Sequence, residues 1–380
     1  MVFRPIEHPV SGPDAFREKG DAASLSRAAI LLILRAQLRG DDRALEARAE
    51  ETKALPIPED DLSRFPVPRL RRAGVRIPRD VIRERIGRAY ALEVKEGTLD
   101  RESARLSDEV VPDLVTRLYE TPSLMAAAEL AEACLSHRDE LTRVAAAAAH
   151  FEISASPDAV EILGEATKSR VELVQAVAAT ALARVAPADP RLARLTKQRR
   201  RKQGGSPTRT SLLVHGTFAR NYAWWQPGGN FHSYLTGIRP DLYAASDRFE
   251  WSGGYSDAAR ALGASDLASW TNARALQGLD LFTHSHGGSV AMLASQAGLS
   301  VGKLVLLSSP AHPHKYMPDF SRVSQVVSIR VQLDLVILAD GGGQRFQHPN
   351  ITENVLPLWF DHSATHRPSV WNKYGLPAMI

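Results

Sequence analysis

Leu279-Asp-Leu-Phe-Thr-His-Ser285-His-Gly-Gly-Ser-Val-Ala-Met-Leu-Ala-Ser-Gln-Ala297 is the stretch whose reading decides the fold. Leu279 to Thr283 has the composition of a buried strand, and Gly287 to Ala297 that of a helix, so one serine stands at the tight turn between them. Small residues two before and two after such a serine let strand and helix approach while the serine takes a strained backbone conformation. Gly287 fills the second of these positions. Thr283, which needs more room, fills the first. Ser285 is therefore the leading candidate for a chemical role.

Working outward, other polar residues fall just beyond apolar strands. Ser211-Leu-Leu-Val-His215-Gly216-Thr217 is a short strand ending in His-Gly. Gln325 to Gln332 reads as a further strand followed by Asp334, and Val355-Leu-Pro-Leu-Trp359 leads into His362. Asp340, ahead of Gly341-Gly-Gly343, is the alternative acid, and His366 the alternative base. His284 and His286 flank the serine and read as packing or pocket-wall residues, while His215 reads as ordering its own loop. His312-Pro-His314 has a spacing that could ligate a metal on a strand, but the proline and the lack of a partner set favour a surface loop. No metal site is expected. Arg220 to Phe231 is rich in aromatic and turn residues; Trp224 and Trp225 either wall a pocket or cover the sheet edge. Phe249 to Ser256 precedes a helical pattern over 257–275.

On these motifs, residues 208–380 resemble an α/β-hydrolase of the lipase and esterase type, whose nucleophile elbow and Ser, Asp, His chain order they share. The resemblance implies an α/β fold with a doubly wound sheet and no metal or organic cofactor. It implies that Ser285 attacks a carbonyl, that His362 takes and returns the proton, and that Asp334 fixes the imidazole. The backbone N–H groups of Thr217 and His286 would form the oxyanion hole, each worth roughly 3 kcal/mol. His215, Gly216, Trp224 and Trp225 would line the substrate pocket. The expected reaction is hydrolysis of a carboxylic ester through an acyl-enzyme. An amidase, thioesterase or acyltransferase with the same residues, and an inactive hydrolase-fold scaffold, stay open.

The rest of the chain has another character. Of 47 Lys/Arg and 43 Asp/Glu, only 13 and 11 fall after residue 206, whereas all 6 tryptophans do. The 380 residues thus divide into a charge-dense helical domain at 1–196, a basic Gly/Ser/Pro linker at 197–207 and the hydrolase-like domain at 208–380. Leu130-Ala-Glu-Ala-Cys with Thr142-Arg-Val-Ala-Ala matches Leu163-Gly-Glu-Ala-Thr with Gln175-Ala-Val-Ala-Ala, so residues 120–190 resemble HEAT-type repeats. Only Pro310 to Ser324 separates two late strands, too short for a lid, so the helical domain is expected to cover the catalytic opening with the Trp224–Trp225 loop. Residues 40–80 read as short helices and loops, partly flexible.

A net charge of +4 is too mild to argue for nucleic acid. The expected partner is a small-molecule or lipid acyl substrate, with a protein partner possible through the helical domain. Ala28-Ala-Ile-Leu-Leu-Ile-Leu34 is shorter than a membrane span and reads as a buried helix, with peripheral membrane contact left unsupported. One cysteine, Cys134, and no secretory signal give a cytoplasmic expectation.

Overall fold

The computed structural model describes residues 3–5, 22–40, 67–70, 76–90, 101–196, 211–243 and 248–380. The linker at 197–207 and most of the stretch 40–80 lie outside them. The chain forms two compact units. One comprises Met1–Pro9, Ala193–Ile337 and Gly342–Ile380, and the other Val10–Leu192 with Leu338–Gly341.

The second unit is built from α1 (Ala22–Arg39), α2 (Arg79–Tyr90), α3 (Arg101–Glu120), α4 (Leu124–Cys134), α5 (Glu140–Ser154), α6 (Pro157–Ala166) and α7 (Glu172–Val185). Helix α1 carries the Ala28–Leu34 run, every residue of which is 4% exposed or less. A helix apolar around its whole circumference is one enclosed by protein, and α1 lies along α5. Among the described residues, no helix is long and apolar enough to cross a membrane. The duplicated sequence falls on successive hairpins, α4–α5 and α6–α7. Leu130 and Leu163, Val144 and Val177, and Ala145 and Ala178 occupy corresponding positions, and all are buried. Alanines at these contacts let helix axes close up, which β-branched or long side chains would prevent. Ser123 and Asp139 accept from the Ala126 and Thr142 amides and so cap α4 and α5. Cys134 is buried and forms no disulfide among the described residues.

The first unit holds a six-stranded sheet: β1 (Phe3–Pro5), β2 (Ser211–Val214), β3 (Leu279–His284), β4 (Val301–Leu307), β5 (Val323–Gln332) and β6 (Ile351–Trp359). Its order is β1-β6-β5-β4-β3-β2, and every pairing is parallel. Strands β2 to β6 are buried along most of their length, as expected where both faces of a parallel sheet are covered. The chain is thus a mixed α/β protein with a parallel sheet. One boundary needs correction. Residues 3–5, assigned by sequence to the helical domain, pair with Glu353, Asn354 and Val355 as an edge strand. Phe-Arg-Pro has no period of its own, so only the exposed edge of β6 defines it as a strand.

Following β2 come α8 (Asn230–Ile238), α9 (Asp257–Asn272), α10 (Gly287–Gln296) between β3 and β4, α11 (Leu335–Asp340) and α12 (Pro368–Lys373). From β2 to β6 the strands lie side by side in chain order, so their carboxyl ends share one edge. The residue directly after each of β3, β4, β5 and β6 has positive φ without being glycine: Ser285 (52°), Ser308 (46°), Leu333 (46°) and Phe360 (68°). The amides of Ser285, Ser308 and Phe360 still donate across the sheet, to Leu307, Ile329 and Gln332 at 2.9, 2.9 and 3.0 Å. The ladder therefore runs one residue past β3, β4 and β6 before the backbone turns away.

Helix α10 begins hard against the end of β2. A Cβ on Gly287 would lie 2.6 Å from the carbonyl oxygens of both Val214 and His215. The Val214 carbonyl belongs to the last residue of β2, and the His215 carbonyl accepts from Trp251 Nε1 at 2.8 Å, so both are held in place. Gly287→Ala should therefore destabilise the protein by about 1–3 kcal/mol, read as a fall in urea midpoint at unchanged slope. An unchanged midpoint would contradict this packing.

Candidate active site

Ser285 sits between the last residue of β3 and the first turn of α10, with φ 52°. For a residue with a Cβ this conformation costs of order 1–3 kcal/mol and persists only where the surroundings fix it. They do so through two bonds: the Ser285 amide donates to Leu307, and the Ser285 carbonyl accepts from the Gly288 amide at 2.9 Å. Thr283, the departure from a small residue, is fully buried, and its hydroxyl donates to the Val305 carbonyl at 3.0 Å. The extra atoms are accommodated toward β4, away from the turn.

Gly216 closes the other side of the serine. A Cβ there would meet the Ser285 Cβ at 2.7 Å and the His284 carbonyl at 2.9 Å. The His215–Ala219 turn is held by several bonds: His215 Nδ1 donates to the Gly216 carbonyl (2.9 Å), and Trp251 Nε1 to the His215 carbonyl (2.8 Å). The Phe218 amide donates to Gly253 at 2.9 Å. Behind this turn, Trp225 donates through Nε1 to the Ala219 carbonyl at 2.9 Å and lies 4.6 Å from the His215 ring. Trp224 stacks on His366 at 4.1 Å. Both tryptophans and His215 are buried. The half-buried rings beside the turn are Phe218 and Tyr255, stacked at 6.4 Å.

His286 opens α10 and packs edge-on to Tyr255 at 5.8 Å, with Nδ1 3.1 Å from the Ser289 hydroxyl. His312 is half-buried with its ring parallel to that of His286 at 6.0 Å, and His314 is exposed.

The loops after β5 and β6 meet at Asp334 and His362. His362 Nδ1 donates to Asp334 Oδ2 at 2.8 Å, since a carboxylate only accepts, so Nε2 is the ring's other nitrogen available as an acceptor. The second carboxylate oxygen, Oδ1, accepts from the Val336 and Ile337 amides at 2.9 and 3.2 Å. Asp334 thus caps α11 with one oxygen and orients the imidazole with the other. Asp340, the alternative acid, lies at the opposite end of α11.

His362 has two imidazole neighbours. His284 is 4.6 Å from it and 4.6 Å from His366, and His284 Nε2 donates to the His362 carbonyl at 3.2 Å. Burial, and then the neighbouring His366 and His362, hold His284 well below the ordinary histidine range. Burial followed by His362 pushes His366 down to about 3. Burial likewise takes His215 down to about 4, against the opposing effect of its bond to Gly216. These three rings are neutral at pH 7.

No protein-family model matches the sequence, and no curated protein matches it.

Sequence reasoning overlooked Gln344. This buried side chain accepts from the Asp334 amide through Oε1 at 3.0 Å and donates through Nε2 to the Asp334 carbonyl at 3.2 Å. It clamps the backbone that carries the carboxylate, ten positions away and without any sequence period to reveal it. Gln344→Leu would leave two buried backbone groups unpaired, and we expect a loss of about 1–3 kcal/mol for each, measured by urea unfolding. Wild-type stability in that variant would show the clamp to be dispensable.

The neutral histidines also set a pH dependence. Their folded values lie below the ordinary 6.5, so the unfolded chain binds more protons, and stability rises with pH. That contribution is complete above about pH 6.5 and is lost on acidification toward 4. The Asp257 carboxyl, raised by burial but held low overall by Lys315 and Tyr316, acts only in more acidic solution. Between pH 6.5 and 5 the unfolding free energy should fall with a slope of up to about 1.4 kcal/mol per pH unit for each histidine. A flat profile there would mean that these rings accept protons in the folded state.

Proposed function

We propose that the sheet-bearing part of this protein is a serine hydrolase of α/β-hydrolase type that cleaves a carboxylic ester. The observation that carries the reading is the 2.8 Å bond from His362 Nδ1 to Asp334 Oδ2 at the same sheet edge where Ser285 is held at φ 52°. A buried carboxylate that fixes one imidazole tautomer, at the sheet edge that also carries a serine on a strained strand-to-helix turn, supports acyl transfer. His366 is disfavoured as the base because its ring is buried against Trp224 and pushed down to about 3.

In this mechanism His362 Nε2 takes the Ser285 proton as Oγ bonds to the carbonyl carbon. The carbonyl π electrons move onto oxygen, and the Thr217 and His286 amides bind the resulting oxyanion. Collapse expels the alkoxide, which takes the proton from His362. Water, deprotonated by the same nitrogen, then releases the acid and restores Ser285. Neutral His284 and His366 place no positive charge next to His362 as it becomes an imidazolium. The helical unit, in the same proposal, is a HEAT-like scaffold for a protein partner.

A fluorophosphonate probe should label the wild-type protein at Ser285 and leave Ser285→Ala unlabelled. His362→Ala should lower p-nitrophenyl ester turnover about a million-fold and Asp334→Ala about ten-thousand-fold. A wild-type protein that takes up no label would favour an inactive binding scaffold. Comparing esters with thioesters and amides separates the esterase from the other acyl-transfer chemistries.

A further inference from the structure

His284 links the strand that leads into Ser285 to the loop that carries His362. It is the last residue of β3, it is buried, and its Nε2 lies 3.2 Å from the His362 carbonyl oxygen. A carbonyl oxygen only accepts, so Nε2 holds the proton. Burial, and then His366 and His362, keep the ring neutral at pH 7, which leaves Nδ1 as a bare acceptor. Nδ1 is itself buried and has no hydrogen-bond partner among the described residues. A buried nitrogen without a partner is unfavourable, so packing alone does not account for an imidazole at this position. The ring is also held in one orientation. His366 meets it edge-on at 4.6 Å and Trp224 at 5.3 Å, and those two rings stack on each other at 4.1 Å. Toward the His215–Ala219 turn, Nδ1 would lie 3.3 Å from a Cβ on Gly216.

We propose that His284 is a positioning residue, whose Nε2–H holds the main chain of His362 and so fixes where that imidazole stands relative to Ser285. The inference rests on the serine hydrolase reading. Asp334 sets the tautomer and rotation of the His362 ring through Nδ1, but a bond to the ring does not by itself fix the backbone behind it. The bond from His284 is a second restraint, applied to that backbone. Because His284 is joined covalently to Ser285, the restraint ties the base to the nucleophile through a single intervening side chain. Proton transfer requires Oγ and the accepting nitrogen within hydrogen-bond reach, and a misplacement of roughly 1 Å can cost about a hundred-fold in rate. His284 exchanges no proton with substrate in this role; its effect falls on kcat.

The test uses the full chain, p-nitrophenyl acetate and fluorophosphonate labelling of Ser285. His284→Gln keeps an N–H donor near the place of Nε2, because the glutamine amide nitrogen is as many bonds from Cα as that imidazole nitrogen. His284→Asn falls one bond short, and His284→Phe keeps a ring but has no donor. In the Asn and Phe variants kcat should fall about a hundred-fold with KM changed little, and the rate of Ser285 labelling should fall in parallel. The Gln variant should stay within a few-fold of wild type in both. Should the Phe variant not fold, the Gln and Asn pair decides, since they differ by one methylene. Wild-type kcat in the Asn variant, with Ser285 still labelled, would overturn the positioning role while leaving the hydrolase reading intact. A Gln variant that loses as much as the Asn variant would overturn it too, by showing that the donor is not what matters. A wild-type protein in which Ser285 takes no label would remove the hydrolase reading itself, and the positioning role with it.

Discussion

The common direction of the strands governs the rest of this structure. A parallel sheet sends every strand out at one edge, and here four successive strands leave it through a residue of positive φ: Ser285, Ser308, Leu333 and Phe360. For side chains that are not glycine, each inversion stores of order 1–3 kcal/mol. That strain is held by the sheet ladder, which continues through the amides of Ser285, Ser308 and Phe360. The edge is consequently rigid at the points where the chain turns. The polar residues of the candidate site fall within three positions of those turns: Ser285 after β3, Asp334 after β5 and His362 after β6.

Electrostatics at that edge is organised by burial. Asp334 is fully enclosed, a setting in which a polar group needs hydrogen-bond partners. Two helix amides and one imidazole N–H supply them. Around His362 the other imidazoles are held neutral, chiefly by desolvation and then by one another. Within the cluster, His362 is the ring bonded through Nδ1 to the Asp334 carboxylate. The division of labour within Asp334 is economical: one oxygen shapes the backbone and the other aims the side chain.

Glycine and threonine placements show why the turn tolerates little change. Gly287 and Gly216 are needed because backbone or side-chain atoms of neighbouring segments occupy the space of a Cβ. Thr283 is permitted because its hydroxyl turns toward the Val305 carbonyl on the adjacent strand. The same distinction between crowded and open sides of one turn separates a position that must be glycine from one that need only be small on a single face.

The strand segments, the helices after Ser285 and the chain order of serine, aspartate and histidine were legible in the sequence, because they depend on local composition and period. The strand expected from Leu279 is present as Leu279–His284, and those expected at Gln325 and Val355 are present with earlier starts. The 33-residue duplication likewise falls on two helical hairpins with equivalent residues buried. Residues 3–5 were misassigned because three residues carry no period, and an edge strand is defined by its neighbour. Which acid faces His362 was beyond sequence reading too: Asp334 and Asp340 are both polar residues near an apolar run, and only the bond across 28 positions distinguishes them. Gln344 was invisible for the same reason, since its amide acts on a backbone brought to it by folding. Sequence thus determined which segments become strands and helices, because hydrophobic period acts along the chain. Tertiary structure alone decided which side chains share protons, because hydrogen bonding acts over about 3 Å in space and ignores distance along the polymer.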